Sequence, residues 1–210
     1  MMIGIIGAGM VGGTLGSRWA GAGHEVVWGV RDPAAAQVAT LCAAAGHGAR
    51  AATVAEAAAG AEVVVLATPW PAVGEALAAC GDLAGRVLLD ATNPLAPDFS
   101  GLAVPPGGSG AREVARLAPG ARVVKIFNSV GFDVMADPRF GDRAATMLYC
   151  GDDRSAKETA ATLATAIGFE AVDAGPLSRA GLLEHAALLW IHLAMSQRLG
   201  REIAFGLLRR

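Results

Sequence analysis

The stretch Met2-Ile3-Gly4-Ile5-Ile6-Gly7-Ala8-Gly9-Met10-Val11-Gly12-Gly13-Thr14-Leu15-Gly16 decides the fold. An apolar run breaks into Gly-x-Gly-x-x-Gly and continues as a helix, the order strand, tight turn, helix start. Each glycine has its own reason: a turn at Gly7, close backbone approach to a pyrophosphate at Gly9, and close helix–strand packing at Gly12. The helix N-terminus then offers unpaired N–H groups and the positive end of its dipole to phosphate, so no charged side chain is needed there. With 28 glycines in the chain the pattern alone is weak. Its position directly behind a strand supplies the context that dinucleotide binding requires.

Moving outward, Thr14 to Ala22 continues the helix, Gly23 closes it, and Glu25 to Val30 returns as a second apolar strand. The tip of that second strand reads the adenosine ribose: a carboxylate there suits the 2′-hydroxyl of NAD, an arginine the 2′-phosphate of NADP. Here the tip is Trp28-Gly29-Val30-Arg31-Asp32-Pro33. Gly29 leaves space where a carboxylate would repel a phosphate, and Arg31 offers a planar fork, which favours NADP(H) over NAD. Asp32 is expected to be the N-cap of a helix starting at Pro33, and a solvated surface role for Arg31 is the alternative.

The alternation then repeats. Helix is expected to Ala45, strand over Ala49–Ala52, helix over Thr53–Ala59 and strand over Glu62–Ala67. Val63-Val64-Val65-Leu66 is apolar on both faces, as a strand inside a parallel sheet must be. Further helix (Ala72–Ala79), strand (Arg86–Asp90), a Gly/Pro/Ser-rich loop (Leu95–Gly110), helix (Ala111–Leu117) and strand (Arg122–Phe127) follow. Beyond these come strands over Thr146–Cys150 and Phe169–Asp173, a helix over Asp153–Ile167, and a long apolar helix from Leu177 to Arg198. The fold class is therefore α/β: a Rossmann-type, doubly wound parallel sheet over residues 1–140, and a small C-terminal α/β lobe over 141–210 ending in that long helix. The lobe is too small to fold independently.

Ligands of such sheets bind outside the carboxyl ends of the strands. Thr68, Pro69, Trp70, Asn93, Asn128 and Phe132 all fall at these ends. Thr and Asn there suit a nicotinamide ribose or carboxamide, and Trp70, Phe127, Val130 and Phe132 suit an apolar slot for a flat ring. The competing role for Asn93 and Asn128 is turn formation alone.

Composition narrows the remaining classes. A net charge of −2 without a basic run removes the footprint of a nucleic-acid binder or an anionic membrane surface. No apolar stretch approaches the roughly twenty residues of a spanning helix. Met1-Met2-Ile3 leads straight into the first strand, leaving no room for a signal peptide, so the expected location is the cytoplasm. Cys42, Cys80 and Cys150 are distant from one another and read as reduced thiols. His185 and His192, seven apart beside Glu184, make a poor metal set, and no metal site is expected. Asp152-Asp153 reads as a helix cap.

Together, Gly7 to Gly12, Gly29 to Pro33, Thr68-Pro69-Trp70, Ala91-Thr92-Asn93-Pro94, Lys125 to Gly131, Ala136-Asp137-Pro138, Asp173 to Leu177 and Leu183-Glu184 resemble the coenzyme F420-dependent NADP oxidoreductases. They are similar as well to the cytosolic part of the six-transmembrane metalloreductases. The resemblance implies an enzyme that passes hydride between the nicotinamide of NADP(H) and a flat deazaflavin (F420) or flavin-type partner. It implies that Gly7, Ala8, Gly9, Met10, Val11 and Gly12 hold the pyrophosphate and Arg31 the 2′-phosphate. Thr68, Pro69, Asn93 and Asn128 would border the nicotinamide, with Trp70 and Phe132 at the second ring. Val30 stands where many members carry a serine. Hydride exchange between cofactors is their own chemistry, so no catalytic residue is named. Two other readings remain: a dehydrogenase or reductase of a small carbonyl, imine or hydroxyacid, and a non-enzymatic NADP sensor. The wide apolar arc of the last helix is expected to be covered by the chain's own tail, Glu202–Leu208, or by a second copy in a homodimer.

Overall fold

The computed structural model describes residues Met1–Arg210. Its centre is an eight-stranded sheet built from β1 (Met2–Ile6), β2 (Glu25–Val30), β3 (Arg50–Thr53), β4 (Val63–Leu66), β5 (Val87–Asp90), β6 (Arg122–Lys125), β9 (Thr146–Gly151) and β10 (Glu170–Asp173). The spatial order is β10-β9-β6-β5-β4-β1-β2-β3. The first six strands are parallel, with the order reversing between β1 and β4. That reversal opens the crevice in which such sheets bind ligands. A small hairpin, β7 (Arg139–Phe140) with β8 (Arg143–Ala144), turns at Gly141 in the left-handed region.

The C-terminal strands extend this same sheet. β9 pairs antiparallel with β6, placing Gly151 opposite Val124, and β10 then pairs parallel with β9.

Helices cover both faces: α1 (Met10–Gly21), α2 (Ala36–Ala45), α3 (Val54–Gly60), α4 (Val73–Cys80), α5 (Gly110–Leu117), α6 (Phe132–Ala136), α7 (Arg154–Ala166) and α8 (Ala180–Ile191). Two cores result, one on each side of the sheet. Val63 and Val65 join the first, with Trp19, Trp28 and Phe127; Val64 and Leu66 join the second, with Leu77, Val114 and Leu183. The doubly apolar reading of β4 is thus realised residue by residue. Local capping follows side-chain chemistry. Thr53 and Glu56 form a reciprocal capping box on α3, and Asp153 accepts the Ala156 N–H at the start of α7.

Three expectations are corrected. Asp32 is not an N-cap: its Oδ1 accepts the Ala34 N–H in a local turn, and α2 begins three residues later than Pro33, at Ala36. Phe127 does not line a ring slot, because its side chain is buried against Trp19 at a centroid distance of 5.4 Å. The long helix over Leu177–Arg198 is broken into a 3-10 turn (Leu177–Arg179), the twelve-residue α8 and a π-turn (His192–Ser196). The π-turn ends the helix because the tail must return. Trp190 Nε1 donates to the Ile203 carbonyl at 2.6 Å, Arg201 pairs with Asp133 at 2.9 Å, and the Phe205 carbonyl accepts from Thr146 N at 3.0 Å. The tail covers the Trp190 side only, leaving Leu182 and Leu189 65% and 50% exposed. The five-residue α6 escaped periodicity, being barely more than one turn.

Candidate active site

The glycine turn is shaped by close contacts. Gly7 has φ +111° and donates its N–H to the Gly29 carbonyl at 3.1 Å, which pins the turn to the end of β2. A Cβ on Gly12 would collide with the Gly7 carbonyl oxygen, so only glycine lets α1 start this close to β1. At Gly9, by contrast, a Cβ would meet nothing within 4 Å. Protein packing therefore does not require Gly9; the space above it is open. Gly9 caps α1 without any side-chain hydrogen bond, and the first turn carries no acid, so its amides face that space unpaired and electropositive.

A cleft of about 470 Å³ runs over this turn, lined by Gly7, Ala8 and Gly9, by Val30 and Arg31 on one side and by Thr68 and Pro69 on the other. Arg31 is exposed and forms no ion pair, leaving its fork free. Met10 points outward, 62% exposed, and Met10, Val11 and Gly12 are not among the cleft-lining residues. Gln37 and Glu75 also border the cleft and were missed in the sequence. Nothing in their local pattern marks them: each is a polar residue on the outer turn of an alanine-rich helix.

Behind the residues that line this cleft, the loops after β5 and β6 are tied together; neither Asn93 nor Asn128 lines the cleft itself. Asn93 Nδ2 donates to the Asn128 carbonyl at 2.8 Å, and Asn128 Nδ2 donates to Asn93 Oδ1 at 3.1 Å and to the Leu183 carbonyl at 3.0 Å. The turn-forming and site-forming readings of these asparagines therefore coexist, since both side chains cross-link loops. Phe127 at φ +60° redirects the chain after β6 so that Asn128 reaches across. Two buried oxygens at the strand ends lack a partner: Thr68 Oγ1, on the cleft wall, and Asn128 Oδ1, which does not line the cleft. Orphaned buried polar groups are costly: the Asn128 amide oxygen calls for a donor, the Thr68 hydroxyl for a donor or an acceptor.

Beneath these loops lies a buried charge cluster that sequence reasoning did not single out. Lys125 Nζ, wholly buried, donates to Asp90 Oδ2 at 3.0 Å and to the Thr92 carbonyl, and lies 3.9 Å from Glu184 Oε1. Asp90 Oδ1 accepts from the Thr92 N–H and hydroxyl. Glu184 accepts the Gly110 and Ala111 N–H groups at the start of α5 at 3.1 and 3.0 Å. Burial pushes the Glu184 carboxyl above its ordinary range, while the Lys125 charge and these amides pull it back. The cluster joins β5, β6, α5 and α8, and fixes the loop that carries Asn93.

Trp70 and Phe132 are not brought to one slot. Trp70 opens on a second cleft of about 720 Å³ with Val104, Ser109, Arg112 and Arg116. Phe132 lies beneath Arg201, whose guanidinium carbon sits 4.1 Å from the ring centre. The two clefts share no lining residue but flank one segment of chain, Thr68 and Pro69 lining the first and Trp70 the second.

The family model described as NADP oxidoreductase, coenzyme F420-dependent, matches residues 2–94. The F420-dependent NADP reductase of Methanothermobacter marburgensis is 34% identical over 206 residues, covering 92% of each chain. This chain belongs to the F420-dependent NADP oxidoreductase family. The crystal structure of a candidate F420-dependent NADP reductase from Arthrobacter sp. FB24 superimposes with a TM-score of 0.90 at 33% identity, covering 100% of both chains. The rat metalloreductase STEAP3 is 32% identical over 98% of this chain, which spans 39% of the rat protein. Membership makes the protein an NADP-dependent oxidoreductase. No helix of the protein is long and apolar enough to cross a membrane.

Proposed function

We propose that this oxidoreductase transfers hydride between NADP(H) in the first cleft and a flat acceptor of the deazaflavin (F420) or flavin type at the mouth of the second. The observation that carries the reading is a pair of clefts on either side of the segment Thr68-Pro69-Trp70, with the unpartnered Thr68 hydroxyl on the wall of the first. Gly7, Ala8 and Gly9, with the open amides at the start of α1, would hold the pyrophosphate, and Arg31 the 2′-phosphate; Gly12 serves the packing that brings α1 close. Asn128 Oδ1 and Thr68 Oγ1 are acceptors suited to the amide and hydroxyl donors of a nicotinamide riboside, with Pro69 and Asn93 alongside. NADP(H) supplies the hydride; the side chains position it and keep water out. Trp70 offers a face for the acceptor, and Phe132 is retained only as an outer support of that region through Arg201.

Reduction of a small carbonyl or imine calls for a proton donor at the site. Of the two lysines, Lys125 is locked in the buried cluster and Lys157 is bonded to Asp173 at 2.8 Å near the β10 edge. Nothing in the geometry favours that reading over ring-to-ring transfer. The exposed Leu182 and Leu189 on α8 further support assembly as a homodimer.

The decisive experiment follows NADPH oxidation with F420, riboflavin and FMN as acceptors, with NADH as a parallel donor. Turnover with F420 or a flavin is expected. In Arg31→Ala the KM for NADPH should rise about ten- to a hundredfold, the worth of charge-assisted bonds, with NADH little affected. Tight NADPH binding without turnover on any ring acceptor would overturn the proposal.

A further inference from the structure

The second cleft continues past Arg112 into a third, of about 390 Å³, between the loop at residues 102–109 and the start of α8. The two share Val104, Pro105, Gly108, Ser109 and Arg112 as a common wall. Three basic side chains line this third cleft, Arg112, Arg179 and His185, and no acidic residue does. Neither arginine takes part in an ion pair. The nearest carboxylate on α5, Glu113, is already held by Arg116 through bonds of 2.8 and 2.6 Å. Glu184 is turned inward, bonded to the first amides of α5. His185 Nδ1 must donate to the Gly181 carbonyl, 2.6 Å away, because a carbonyl only accepts; this fixes the ring and leaves Nε2 open. In a chain of net charge −2, two unpaired arginines facing one acid-free hollow are a local excess of positive charge.

We infer that this hollow binds an anionic group, a phosphate or carboxylate, carried on the acceptor whose ring lies near Trp70. The inference rests on the ring-acceptor reading above and deepens it. A ring at the Trp70 mouth and a charged appendage running along the first turn of α5 would meet Arg112 on the way and Arg179 at the end. The guanidinium forks match planar oxyanions, and Ser109 and Ser178 add hydroxyl donors at the rim. The α5 N-terminus contributes nothing here, since Glu184 occupies it.

The test keeps the first cleft filled with saturating NADP⁺, so that only other anion sites remain open. Calorimetric titration with inorganic pyrophosphate should show binding, weakened at least about tenfold in the Arg112→Ala/Arg179→Ala double variant. Because both arginines are exposed, the variant should keep its melting temperature. Fluorescence titration with riboflavin and FMN, which differ by one phosphate, should show FMN bound about tenfold more tightly, and the difference should vanish in the double variant. Absence of pyrophosphate binding, equal binding of the two flavins, failure of FMN to bind, or an FMN preference that survives the substitutions would each overturn the proposal. Pyrophosphate binding that is lost in the variant without any FMN preference would reduce the hollow to a free-anion site and overturn its link to the acceptor. These titrations need no turnover, so a failure of hydride transfer would be recorded separately, in the NADPH assay.

Discussion

Replacing Lys125 with methionine removes the single cation of the buried cluster while keeping most of its volume. At an effective dielectric of about 20, the attractions to Asp90 at 3.0 Å and Glu184 at 3.9 Å are about 5 and about 4 kcal/mol. Much of that is offset, because the variant no longer desolvates an ammonium, a cost of several kcal/mol. What remains is two buried carboxylates and the Thr92 carbonyl with a lost donor, for a net loss of about 3–5 kcal/mol. Against a total stability of about 5–15 kcal/mol this is large enough to measure without ambiguity. Urea unfolding at neutral pH should show a lower midpoint with an unchanged slope.

Two internal checks follow from the same cluster. Lys125→Met/Asp90→Asn leaves one carboxylate fewer uncompensated and should be more stable than Lys125→Met alone. The second check is pH. Burial already raises the Glu184 pKa, and loss of the lysine raises it further. A carboxyl with a raised folded pKa holds a proton in the native state that the unfolded chain has shed. Its stability contribution is fully present below the unfolded pKa and falls as pH rises through the folded one. The deficit of Lys125→Met relative to wild type should therefore shrink on acidification from neutral pH. A deficit under about 1 kcal/mol, a double variant no more stable than the single, or a deficit that grows on acidification would refute the reasoning.

Gly9→Ala and Gly12→Ala separate ligand space from protein packing. The first should leave stability within about 0.5 kcal/mol yet weaken NADPH binding, whereas the second should cost about 1–3 kcal/mol through the contact with the Gly7 carbonyl; thermal melts with and without NADPH read both. Light scattering should give a dimer, and Leu189→Asp, on the exposed face of α8, should give a monomer with unchanged circular dichroism. A fragment of residues 141–210 should show no cooperative unfolding, because β9 would lose its β6 neighbour and α8 its Glu184 partners on α5.

The amino-acid sequence by itself determined the alternation of strands and helices, the sheet class, the glycine turn and the presence of an arginine at the β2 tip. These are local signals: a period of two or of 3.6, a glycine where the chain turns, and a motif complete within sixteen residues. The strand-end positions of Thr68, Trp70, Asn93 and Asn128 were legible for the same reason. Tertiary structure alone decided which of them face one another. Trp70 and Phe132 share the strand-end rule but separate, because Trp70, in the turn ahead of α4, packs toward Gly110 at the start of α5 while α6 carries Phe132 under the returning tail. The Asp90–Lys125–Glu184 cluster was not legible, since its members lie far apart in the chain and only sheet pairing of β5 with β6, and docking of α8 on α5, brings the charges together. The end of α8 was misjudged for a related reason. Apolar composition favours continuing a helix, but the point where it stops is fixed by what the tail must reach, Asp133, Trp190 and Thr146, and those contacts have no local signature.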